Sequence, residues 1–137
     1  MDDLDREILN VLRRDARTPY TEIAERVGTS EGTVRNRVDR MTDEGIIERF
    51  TVTTRTGNLR AMIEIEVAVD VDTSRLSTAI ADRDDVDFVW QVGGESDIVV
   101  VVDAPDTRRL NDIISNAREM EEVHDTRTRL ILEERLG

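Results

Sequence analysis

The chain of 137 residues contains no cysteine. That excludes disulfides and thiolate metal sites, and it fits a reducing cytoplasm. Lysine is absent too: all 19 basic residues are arginine, set against 31 acids, for a formal net charge of −12. No apolar run approaches the ~18 residues of a membrane span, and the acidic N-terminus lacks the basic-then-apolar order of a signal peptide. The expectation is a soluble cytoplasmic protein without a membrane partner. Histidine and tyrosine occur once each, which leaves little material for a catalytic cluster of imidazole and phenol groups. The length suits one ordinary domain or two small ones.

What is present is unevenly spread. Residues 1–50 hold 9 Arg and 12 acids, a net of −3, and residues 51–137 hold 10 Arg and 19 acids, a net of −9. Many carboxylates with no lysine is the composition expected in a salt-saturated cytoplasm. At ~1 M salt the Debye length is about 3 Å, so repulsion between an acidic protein and a polyanion is largely screened.

Thr29 to Met41 organises the N-terminal half. Ser30 is placed to cap a helix, and Val34, Val38 and Met41 recur at i, i+4 and i+7 on one stripe. Gly32, Thr33, Arg35, Asn36 and Arg40 fall on or near the far side, with Arg37 at the flank. Guanidinium and carboxamide groups on a helix are those that read base edges and grip phosphates in the major groove.

Upstream, residues 3–16 read as a helix with Leu4, Ile8, Val11 and Leu12 on one stripe and Asp2 or Asp3 as its cap. Thr18-Pro19 reads as a cap followed by proline at the first helical position. Tyr20, Ile23, Ala24 and Val27 face inward in that second helix, and Gly28 ends it. Helix, short glycine turn, helix is the helix-turn-helix layout. Gly45 closes the third helix, and Ile46–Val52 reads as a strand, a wing or a connector. Residues 1–52 thus read as a winged-helix-like helix-turn-helix domain and 53–60 as a polar linker. From 61 to 137 the period changes. A strand from Ala61, a short helix with Leu76 and Ile80, and a strand with Val86, Phe88, Trp90 and Val92 come first. An apolar strand Asp97–Asp103, a helix opened by Pro105 and a last strand Val123–Glu133 follow. The order βαββαβ is ferredoxin-like, so the whole chain is α+β. One sheet face has no cover within the chain, and a second copy is the simplest partner.

Asp2-Asp3-Leu4-Asp5 with Ile8-Leu9, Asp15-Ala16-Arg17, Ile23-Ala24-Glu25-Arg26-Val27-Gly28, Ser30 with Thr33-Val34, Arg35 to Val38, Glu44-Gly45-Ile46-Ile47, Gly57 and Gly94-Glu95-Ser96-Asp97 stand in one ordered series. With it the chain resembles the leucine-responsive regulatory protein/AsnC family of transcription regulators over nearly its whole length. The lysine-free acidic composition adds a haloarchaeal host to that expectation. The resemblance implies a DNA-binding domain, a C-terminal domain for amino-acid regulation, sheet-to-sheet dimers and often octamers. It implies a small effector, commonly an amino acid, near the glycine-rich turn, and no cofactor beyond it.

For double-stranded DNA the candidates are Ser30, Thr33, Arg35, Asn36, Arg37 and Arg40. Arg35 and Asn36 have the chemistry for bidentate contacts to guanine and adenine, and Arg37 and Arg40 that for phosphate. Glu31 suits the helix dipole, the alternative being acceptance from a cytosine amino group. For the effector the candidates are Gly93, Gly94, Glu95, Ser96 and Asp97. Backbone N–H groups and the Ser96 hydroxyl would take a carboxylate, and Glu95 or Asp97 an ammonium; the competing reading is a plain hairpin turn. His124 reads as a capping or surface residue, and Trp90 as core or dimer interface. Two other functions share the architecture: an amino-acid sensor without DNA binding, and a haem-pathway decarboxylase. The intact Arg35-Asn36-Arg37 run opposes the first, and the scarcity of His and Tyr opposes the second.

Overall fold

Asp2 starts the first helix by accepting the Asp5 N–H at 2.9 Å, and the Asp5 carboxylate accepts the Asp2 N–H at 3.1 Å in return. This reciprocal capping box satisfies two of the amide donors that a helix start leaves free. In the computed structural model, which describes residues 1–137, the helix α1 spans Asp3–Arg14. The second, α2, spans Tyr20–Val27, with Pro19 in extended conformation as its cap residue. The Thr18-Pro19 reading is thus corrected by one position. Thr18 is buried and its hydroxyl donates to the Asp15 carbonyl, so it closes the turn instead of capping the helix. Gly28, at φ +75°, ends α2 in the left-handed region that glycine enters at least cost. Ser30 accepts the Thr33 N–H at 3.2 Å and opens α3, Glu31–Asp43. Ile8 and Leu12, Ile23 and Ala24, and Val34, Val38 and Met41 meet in one core, joined by Ile47.

The strand expected over Ile46–Val52 is absent. Ile47 drops into the helical core while Phe50 and Val52 stay exposed. The alternation is there, but a strand also needs a hydrogen-bonded neighbour, and none lies within this chain. The N-terminal unit, Met1–Thr54, is therefore three helices without a wing.

The second unit, Arg55–Gly137, carries β1 (Leu59–Val67), α4 (Thr73–Ala81), β2 (Val86–Gln91), β3 (Ile98–Ala104), α5 (Thr107–Glu119) and β4 (Val123–Leu130). β1 starts two residues before Ala61, and β4 stops at Leu130 instead of Glu133. The sheet order is β2-β3-β1-β4, antiparallel throughout, which is the ferredoxin-like arrangement. Ala61, Ile63, Ile65, Ile98, Val100 and Val102 pack against Leu76 and Ile80 of α4 and Leu110 and Ile113 of α5. A bulge between Val86 and Phe88 turns Val86 and Val89 toward that core. Phe88 and Trp90 therefore lie across from Val101 and Val99 on the other face. Their rings stack 5.5 Å apart and are 44% and 48% exposed, so Trp90 is not a core residue of the single chain. His124 is exposed in β4. No helix is long and apolar enough to cross a membrane.

Candidate nucleic-acid interface and effector hollow

The side chains of α3 divide by azimuth around the helix. Taking Val34 as the inward direction, ~100° per residue puts Asn36 and Gly32 nearly opposite it, Arg35 on one flank, and Arg37 and Arg40 on the other. The structure gives each flank a different neighbour. On one flank Arg37 donates to Asp2 at 2.5 Å and to Asp5 at 3.2 Å, and Arg40 donates to Asp5 at 2.6 Å. The Asp5 side chain is fully buried, so a charged carboxylate beneath α3 is matched by two guanidinium groups and a backbone N–H. Arg37, then the Asp5 N–H, hold the Asp2 carboxyl at about 2, against an ordinary 3.8. Burial pushes Asp5 upward, but the Asp2 N–H, Arg37 and Arg40 outweigh it and leave it below its ordinary value. Asp2 and then Asp5 push the Arg37 guanidinium up in turn.

The two arginines assigned to phosphate are thus committed to α1, Arg37 with only a quarter of its side chain exposed. On the other flank, Arg35 donates to Glu31 at 2.6 Å and lies over the Tyr20 ring. Glu31 is therefore engaged with an arginine one turn on. Ser30 and Thr33 share a hydroxyl–hydroxyl hydrogen bond of 2.9 Å on top of the cap. Asn36 is exposed and its carboxamide carries no partner. Gly32 is equally open, with nothing within 4 Å of where a Cβ would sit.

In the second unit, Glu64, Glu66, Asp125 and Arg127 stand on the uncovered face, where Glu64 pairs with Arg127 and Glu66 with Asp125 across β1 and β4. Together with Glu95 and Ser96 of the β2–β3 turn they line an open hollow of about 420 Å³. Of the five turn residues singled out from the sequence, only Glu95 and Ser96 reach it. Gly94 supplies the turn, at φ +110°. Asp97 is used internally: its carboxylate accepts the Val67 N–H, and its own N–H donates to Ile65, both at 2.9 Å. Arg127 makes no ion pair within the chain. No cluster of carboxylate or imidazole groups is arranged to hold a metal ion.

Sequence reasoning passed over Asp5, Tyr20, Glu64, Glu66, Asp125 and Arg127. Asp5 carried a signal, since it shares the inward stripe with Ile8 and Leu12 at i+3 and i+7. A carboxylate there demands a buried partner. The β1–β4 residues carried none, because their meeting depends on a register that spans some sixty residues.

Comparison with known proteins bears on the two units and their order. Residues 1–42 match the AsnC-type helix-turn-helix domain and residues 60–136 the Lrp/AsnC ligand binding domain. The HTH-type transcriptional regulator LysM of Sulfurisphaera tokodaii is 33% identical over 133 residues, 96% of this chain and 95% of that one. LrpA of Pyrococcus horikoshii, also an HTH-type transcriptional regulator, is 36% identical over 119 residues, 85% of this chain and 84% of its own. A Neisseria meningitidis transcriptional regulator, solved as its L-Met complex, superposes with a TM-score of 0.81 at 22% identity. That match covers all of this chain and 93% of the other. Both halves match regulator domains and the relatives along most of the chain are transcriptional regulators, so this is a DNA-binding transcription regulator and not an enzyme. The chain belongs to the Lrp/AsnC family.

Proposed function

We propose that this regulator reads DNA with the outward face of α3 and that a small amino acid bound at the β1–β4 hollow modulates it. The reading face centres on Gly32 and Asn36, with Thr33 and Arg35 beside them. Arg37 and Arg40 brace the helix from one flank, and Ser30 caps it. The observation that carries this reading is the contrast within α3. Its flanking arginines are tied down to carboxylates or to an aromatic ring, while its outermost residues are bare or unpartnered.

The hollow offers four carboxylates against one unpaired guanidinium. An α-amino acid fits such a site by presenting its carboxylate to Arg127 and Ser96 and its ammonium to the acids. The surplus of negative charge favours an effector with a second cationic group, a basic amino acid. The L-Met complex of the Neisseria regulator supports an amino-acid ligand for this architecture. Two copies of the chain are proposed to pair through the uncovered face, where Phe88, Trp90, Val99 and Met62 are apolar. The site of action is the cytoplasm, where the DNA is.

Calorimetry tests the effector assignment. Heat is expected with arginine or lysine and not with leucine, and it should vanish in Arg127→Ala. Silence with all twenty amino acids would overturn the assignment.

A further inference from the structure

Arg35 is restrained in two independent ways. Its Nη2 donates to the Glu31 carboxylate at 2.6 Å, one helical turn back, and its Cζ lies 5.3 Å from the centroid of the Tyr20 ring. The ring holds the guanidinium over its face, and the carboxylate fixes one of its N–H groups. Tyr20 is the first residue of α2, and its ring is half-buried against the helical core, so the platform is itself held. The remaining donors of Arg35 have no partner within the chain. Glu31 precedes Arg35 by four residues, the favourable order for an acid–base pair on a helix.

We propose that Tyr20 and Glu31 are positioning residues for Arg35 and thereby set the regulator's preference at one base pair of its DNA site. The inference rests on reading α3 as the recognition helix. An arginine already oriented loses less freedom when it meets a base edge, and it meets fewer alternative edges. The pair is more than two-fifths exposed on both sides. Breaking it therefore costs the fold little, which makes specificity separable from stability.

The test is binding-site selection from a random duplex pool by the full chain and by the variants Arg35→Ala, Glu31→Gln, Tyr20→Leu and Tyr20→Phe, with thermal melts as the fold control. Arg35→Ala should flatten the preference at one position. Glu31→Gln and Tyr20→Leu should weaken the same position, roughly three- to tenfold on the scale of one freed long side chain. Tyr20→Phe should retain it, since the ring remains. Adding Glu31→Gln to Arg35→Ala should change nothing further there. If Arg35→Ala flattens a position that Glu31→Gln and Tyr20→Leu leave sharp, the proposal falls and the recognition reading stands. If the wild-type chain selects no motif, both fall together; if it selects one that Arg35→Ala leaves intact, the proposal falls and the reading face is left to Gly32, Thr33 and Asn36.

Discussion

At the scale of single residues, the most consequential one is Asp5. Its buried carboxylate ties α1 to α3 through Arg37 and Arg40. Asp5→Ala leaves Arg40 and the Asp2 N–H without their acceptor and Arg37 with Asp2 alone. A loss of about 2 kcal/mol is expected, in the range for hydrogen bonds to charged groups, and a chemical-denaturation midpoint compared with wild type would measure it. The same cluster has a pH signature. Asp2 is at about 2 in the folded chain against an ordinary 3.8, so its contribution is present in full above ~4 and is lost as the pH falls toward 2. Melting temperatures between pH 5 and 2 should fall less steeply for Asp2→Asn than for wild type. Parallel curves would show that the Asp2–Arg37 pair contributes nothing.

At the scale of elements, α3 contains a glycine that the fold does not need. Gly32 sits in the helix at an ordinary φ, and a Cβ there would meet nothing. Alanine is the better helix former by roughly 0.5–1 kcal/mol, so Gly32→Ala should raise the stability of the N-terminal unit. It should also weaken DNA binding if this face approaches the base edges closely. A variant that is more stable and binds as tightly would remove Gly32 from the interface.

The elements also divide what was readable in the sequence from what was not. Caps and stripes are local: Ser30, Val34, Val38 and Met41 read directly, and the first cap was narrowed to Asp2 or Asp3. Pairing is not local. The apolar alternation of Ile46–Val52 looked like a strand, yet without a neighbour it is connector. The bulge beside Phe88 moved Trp90 to the uncovered face, and no pattern in one strand announces a bulge. Of the proposed DNA face, the outward side of α3 was readable from the stripe. The commitment of Arg37 and Arg40 to α1 was not, because it depends on helix packing. Of the proposed effector site, the β2–β3 turn was visible, whereas the acids and Arg127 converge only once β4 pairs with β1.

At the scale of the molecule, the uncovered sheet face and the −12 charge matter most. If two copies meet through Phe88 and Trp90, Trp90→Glu buries a charge in that interface and should shift sedimentation from dimer toward monomer while leaving the circular dichroism unchanged. A dimer unaffected by the change would place the contact elsewhere. The charge bears on DNA binding itself. An acidic, lysine-free protein with its recognition-helix arginines already paired has little basic field to draw in a polyanion. Recognition then depends on direct contacts made where salt screens the repulsion.

Selection of sites from random duplex DNA in ~2 M KCl, where screening removes long-range repulsion and nonspecific attraction alike, tests that claim most directly. An enriched two-fold-symmetric motif is expected, with half-sites about one helical turn, or a multiple of it, apart. No enrichment in high salt, and none in dilute buffer, would contradict it and leave a ligand-binding module without a DNA site.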